Sequence, residues 1–142
     1  IPSGMLAGKL GRKKTIIYGL LALLPIFIFS YFFTKGMISF VIVLVLVGFF
    51  WSWVNVNSLP LVYDHGDEKR IGAYTGLYYF FSQTAAVLGP TLGGLIVEKM
   101  NFNYRILFIF GTIFLFLAFL SMLKVTDKAH EAKLRSEKAT QS

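Results

Sequence analysis

The sequence predicts an all-α membrane protein with four transmembrane helices, and three observations carry that expectation. Of the 142 residues, 56% are hydrophobic and only 15% are charged, whereas a soluble domain has about 45–50% and about 25%. Polar residues are too few to cover a core of this size, and the mean hydropathy of +0.66 points the same way. Charged residues divide the chain into four apolar stretches, and the basic residues collect at alternate ends of them.

The first stretch, Thr15–Thr34, holds 20 residues without a charge; Gly36–Tyr63 holds 28, Ile71–Val97 holds 27 and Ile106–Leu123 holds 18. A hydrocarbon core of roughly 30 Å needs about 20 helical residues. Each stretch therefore crosses once, with spans expected at 15–34, 37–62, 72–97 and 104–124. Lipid offers the backbone no hydrogen bonds, and the runs are too long and too continuously apolar for barrel strands, so helices are required. Before them, 1–14 reads as a basic loop entered by a helix end at Ile1–Leu10. After them, 125–142 reads as a charged, solvated tail. The start lacks the layout of a signal peptide, and the chain reads as a fragment.

Orientation follows from Lys and Arg. Lys9, Arg12, Lys13, Lys14, Lys69, Arg70 and five residues of the tail place eleven on one side, against Lys35, Lys99 and Arg105 on the other. The positive-inside rule puts the side with eleven, including 1–14, 64–70 and the tail, in the cytoplasm. The net charge of +7 thus reports topology, and no nucleic-acid partner is expected. With no Cys, and His65 and His130 confined to a loop and the tail, there is no basis for a metal site, a cofactor or a hydrolytic triad. No enzyme is expected.

No ionisable side chain falls in the central part of any span. Such groups mark proton relays and ion paths, so a coupling carboxylate would have to lie outside these residues. The second span instead carries Trp51-Ser-Trp-Val-Asn-Val-Asn-Ser-Leu-Pro60, with Asp64 beyond. Helical spacing puts Phe50, Trp53, Asn57, Pro60 and Asp64 on one face, with Trp51, Asn55 and Ser58 nearly opposite. One reading makes the Trp–Asn face the wall of a polar pathway, with Trp stacking on a flat ligand surface and Asn bonding its hydroxyls. The other makes the Trp residues interfacial anchors and the Asn residues interhelical glue.

The third span places Gly72, Gly76, Ser82, Ala86, Gly89 and Gly93 on one stripe, bordered by Thr75, Tyr79 and Gln83. Small residues let helix backbones approach closely in a bilayer. Gly89-Pro90-Thr-Leu-Gly93-Gly94 is expected to weaken or bend the outer half. The first span, with Pro25, and the Phe-rich fourth read as packing and lipid-facing helices.

Gly4-Met-Leu-Ala-Gly-Lys-Leu-Gly11-Arg12-Lys13-Lys14 resembles the basic loop signature of the major facilitator superfamily. Gly8 stands where that signature has an acid, while its basic half is intact. The run from Trp53 to Gly94, with Asn55, Asn57, Pro60, Asp64, Arg70 and Ile71–Gln83, is similar to the tenth and eleventh helices of sucrose-type transporters of the glycoside–pentoside–hexuronide branch. The resemblance implies a fragment of a twelve-helix fold, helices nine to twelve, working by alternating access. It implies a sugar or glycoside substrate, a coupling ion (a proton), the lipid bilayer, and an absent N-terminal half that supplies the other cavity wall and the coupling acid. A second placement is open: Gly89-Pro90-x-x-Gly93-Gly94 also resembles the fifth-helix motif of drug antiporters, which would make these helices three to six.

Candidate cavity residues are Trp53, Asn55, Asn57, Tyr79 and Gln83. Arg12, Lys13, Asp64 and Arg70 are candidates for a gate, closed by an Asp64–Arg12 or Asp64–Arg70 pair. Gly72, Gly76, Gly89, Pro90 and Gly93 are candidates for packing and bending. The competing classes are a non-transporting four-helix scaffold and a small dimeric drug exporter; the latter lacks the buried acid it would need.

Overall fold

The computed structural model describes residues 2–65 and 70–125; the expected tail, His130 and Lys69 lie outside them. The described residues form five helices: α1 Pro2–Leu10, α2 Arg12–Phe33, α3 Met37–His65, α4 Ile71–Lys99 and α5 Ile106–Lys124. The last four are long and apolar enough to cross a membrane.

The segment before the first span holds the helix end expected at Ile1–Leu10, but the basic residues after it do not form the expected loop. Pro2–Leu10 is helical, and Gly11 alone separates it from α2. Gly11 adopts φ 90°, in the left-handed region where a side chain would be strained. Its N–H closes α1 on the Ala7 carbonyl at 2.9 Å, and its carbonyl accepts from the N–H and the hydroxyl of Thr15. Arg12, Lys13 and Lys14 therefore occupy the first turn of α2, where cations oppose the helix dipole. That conflict made a loop the natural expectation; the Arg12 and Lys13 side chains escape it by reaching the ends of other helices, as described below.

α2 is the centre of the bundle. It buries Thr15, Ile16, Gly19, Leu20, Leu23 and Ser30, a stripe at spacings of three and four that meets α3 on one side and α5 on the other. Ile16, Leu20, Leu23, Leu61 and Leu115 form the core, with Phe27, Phe50, Val54 and Met122 packed around it. Two glycines set the approach distances. A Cβ on Gly19 would stand 3.0 Å from Val54, 3.1 Å from the Phe50 carbonyl oxygen and 3.2 Å from Trp53 Cβ. A Cβ on Gly111 would collide with the Phe27 ring, which itself packs edge-on against Phe108 at 6.0 Å.

α4 lies outside this three-helix core and buries only Gly93 and Val97. It meets α3 near the Arg12 end, where the Tyr63 and Thr75 hydroxyls are 3.3 Å apart. It meets α5 near the opposite end, where a Cβ on Gly93 would touch Leu107 at 3.1 Å. Pro25, Pro60 and Pro90 all sit inside continuous helices. Phe32, Ile42, Val45, Phe80 and Phe116 point outward, which suits a hydrocarbon solvent.

The glycine contacts make a paired prediction for the full-length protein in detergent. Gly19→Ala destabilises by about 1–3 kcal/mol through overpacking against backbone that cannot yield. Gly48→Ala, whose Cβ meets nothing within 4 Å, is neutral or stabilising by up to about 1 kcal/mol through helix propensity. Thermal unfolding of both variants beside wild type checks the contrast.

Candidate functional site

The polar groups of the bundle fall into a clamp at the Arg12 end, a run on α3 and an open face on α4. At the clamp, Arg12 Nη1 donates to Asp64 Oδ1 at 2.5 Å and to the Pro60 carbonyl at 3.0 Å. The Arg12 side chain is 39% exposed and that of Asp64 14%. Asp64 sits in the last turn of α3, where a negative charge opposes the helix dipole, and its Oδ2 is buried without a partner among the described residues. Arg12 offsets both the carboxylate and the carbonyl end of α3. Lys13 Nζ donates in the same way to the Leu123 carbonyl near the end of α5, at 3.0 Å. At the far end the roles reverse: Arg105, at the start of α5, donates from Nη2 to the Thr34 carbonyl that ends α2, at 2.8 Å. Arg70 precedes α4, exposed and without an ion pair among the described residues.

The α3 run divides differently from the expected pathway. Asn57 is 3% exposed, and its Nδ2 donates to the Trp53 carbonyl at 2.8 Å, one turn back on the same helix. Trp53 packs its Cβ toward Gly19, and its ring lies 5.4 Å from Phe50 and 5.7 Å from Phe49. Its Nε1 is buried without a partner among the described residues. Of the two readings, cavity wall or interhelical packing, the placement of Trp53 fits packing, since Gly19 brings α2 against its Cβ, while Asn57 is buried one turn further along α3. Ser58 back-bonds to the Val54 carbonyl at 2.7 Å, the usual way a hydroxyl is satisfied within a span. Trp51 and Ser58 line a cavity of about 480 Å³ between α2, α3 and α5. Asn55 is exposed.

On α4, Gly72, Gly76, Tyr79, Gln83 and Pro90 are all exposed, and a Cβ on Gly72, Gly76 or Gly89 would meet nothing within 4 Å. Their helical spacing puts Gly72, Gly76, Tyr79, Gln83 and Pro90 on one face. Gly93 alone of the expected packing glycines makes a close contact, with Leu107 of α5. The structure thus brings Trp53 and Asn57 together, and Tyr79 and Gln83 together. It does not join the two pairs.

The family model of the Major Facilitator Superfamily matches residues 1–142. The chain belongs to the major facilitator superfamily. Comparisons with curated proteins and with solved structures found no match. A major facilitator chain is a multi-pass membrane protein from a family of membrane transporters, and four apolar helices with carbonyl-capping cations at both ends accord with that setting. In this major facilitator chain the basic Gly11–Lys14 run is no free loop but the start of α2. Two contacts escaped the sequence reading, Lys13 with Leu123 and Arg105 with Thr34. A signal for them was present, since each cation begins one long helix while its acceptor ends another.

The clamp predicts an asymmetry. Arg12→Gln strands Asp64 against the negative end of α3, whereas Asp64→Asn leaves the Arg12–Pro60 hydrogen bond in place and removes the opposed charge. Arg12→Gln therefore destabilises more, by about 1 kcal/mol, read as the lower melting temperature of the two purified variants.

Proposed function

We propose that this chain forms the C-terminal part, helices nine to twelve, of a proton-coupled sugar or glycoside symporter working by alternating access. One observation carries the reading: α4 turns a small and polar face, with Gly72, Gly76, Tyr79 and Gln83, away from α2, α3 and α5. In hydrocarbon an exposed amide is costly, so this face calls for a wet cavity or a protein partner. The other half of the same transporter supplies both. The four span centres contain no carboxylate, so the proton-binding acid belongs to that half as well.

Asn55, Tyr79 and Gln83 remain as wall residues in this reading. Trp53 and Asn57 act behind the wall by holding α3 to α2. Tyr79 offers a flat ring and a hydroxyl, and Gln83 offers two donors and an acceptor, which suits the hydroxyls of a sugar. The Arg12–Asp64 pair latches the cytoplasmic end in one state and opens as the half rocks. The continuous α2–α3–α5 core moves as a unit, and α4, tied near its ends, faces the substrate path.

Uptake of labelled disaccharides by the full-length protein tests the assignment. Gln83→Ala cuts uptake about tenfold, the loss of one polar contact to substrate, at unchanged membrane level. Asn57→Ala acts mainly by lowering the amount of folded protein. Normal uptake by Gln83→Ala removes the wall assignment, and absence of saccharide uptake by wild type removes the substrate class. Asp64→Asn slows transport without changing membrane insertion; equal rates remove the latch.

A further inference from the structure

We infer that the groove between α3 and α5, floored by α2, holds one acyl chain of an anionic phospholipid whose headgroup rests on Lys13 and Lys124. The lipid is a fixed part of the bundle rather than cargo, and the site does not depend on the sugar path proposed above. α3 and α5 each pack on α2 and barely on each other. Between them lies the cavity of about 480 Å³ whose wall includes Trp51 and Ser58.

Its length is that of one leaflet. On α2 the wall runs from Ile16 to Phe27, and on α5 from Gly111 to Met122, eleven positions in each case. At about 1.5 Å per residue that is about 16 Å, half of a hydrocarbon core of roughly 30 Å. The Phe27 ring lies where a Cβ on Gly111 would collide with it and stands edge-on to Phe108, so it closes the groove just past the middle of the span. A transmembrane helix would need a trough about 10–12 Å wide across the whole core. A single chain fits one that stops halfway.

The wall selects hydrocarbon. Its one hydroxyl among the described residues, that of Ser58, is spent on the Val54 carbonyl. Its other polar side-chain group is the Trp51 indole. Trp51 is 46% exposed and lies midway along α3, too deep to anchor at headgroup level as a Trp near a span end does. Gly111, Ala118 and Ser58 are the small residues that leave the groove open. Water finds too few partners there to fill it, and acyl chain does.

The charge at its mouth selects the headgroup. Met122 ends the groove, and the Lys13 ammonium holds the next carbonyl, that of Leu123, at 3.0 Å. Lys124 follows, exposed and without an ion pair among the described residues. Lys9 and Lys14 are exposed at the same end, while Asp64, the carboxylate described there, is already paired with Arg12. A negative headgroup seated here meets cations that the protein does not neutralise itself. With this end cytoplasmic, as the positive-inside rule expects, the groove opens to the leaflet in which anionic lipid gathers.

Lipid brominated on its chains quenches tryptophan on contact, so Trp51 reports the site. The full-length protein is placed in phosphatidylcholine nanodiscs carrying a small fraction of brominated lipid, and the signal is the quenching lost in Trp51→Phe. Brominated phosphatidylglycerol is expected to act at about tenfold lower fraction than brominated phosphatidylcholine, the effect of two partly screened Lys at the headgroup. Ala118→Phe fills the groove and abolishes that preference. Lys124→Gln, at an exposed side chain whose loss spares the fold, lowers it to about threefold. Equal quenching by the two lipids, or a preference unchanged in either variant, overturns the inference and leaves Trp51 among ordinary boundary lipid. Absence of quenching by both lipids overturns it too, because a protein segment then covers the groove.

Discussion

The bundle depends on how helix ends are satisfied where water is scarce. Each helix leaves carbonyl groups unpaired at its C-terminus. Here Lys13 and Arg105 donate to such carbonyls of neighbouring helices, while Arg12 pairs with Asp64 in the last turn of α3 and also donates to the Pro60 carbonyl one turn before. Arg12 serves α3, Lys13 serves α5, and Arg105 serves α2 in return. The antiparallel order of the spans makes this possible, since it sets every start beside an end. α2 takes part in all three contacts. Its central place in the core follows from the same arrangement.

Within that frame, packing between spans is decided by small residues rather than by hydrophobicity. Gly19 admits α3, and Gly111 admits Phe27 of α2 against α5. α4 has more glycine than either partner, yet only Gly93 is used inside this chain. The unused glycines lie with Tyr79 and Gln83, so close-approach capacity and polarity share one face that the other three spans leave uncovered. That coincidence is the observation on which the proposed wall rests.

Much of the architecture could be read in the sequence because charge and span length act without reference to packing. The four helices, the alternation of their ends and the side that gathers Arg12 with Asp64 all follow from where charged residues fall. The direction of each face could not be read in the same way. A span is apolar all round, so hydropathy has no period to show which side meets protein. The Trp53–Asn57 face therefore read equally as a pathway wall or as interhelical glue, and Gly19, which sets Trp53 against α2, lies on another helix. The start of α2 at Arg12 was obscured because a basic triplet at a helix start looks unfavourable until its distant acceptors are known.

The Lys13–Leu123 bond also has a temporal side. Its two residues are 110 positions apart, so at about 5–20 residues per second a ribosome finishes the acceptor about 6–22 s after the donor. During that interval the ammonium group stays hydrated at the bilayer surface, and the Arg12 guanidinium waits similarly, for a shorter time, until Pro60 and Asp64 are made. Assembly is thus ordered by synthesis: among these four spans α2 is made before its partners, and its last contact is secured only when α5 is complete.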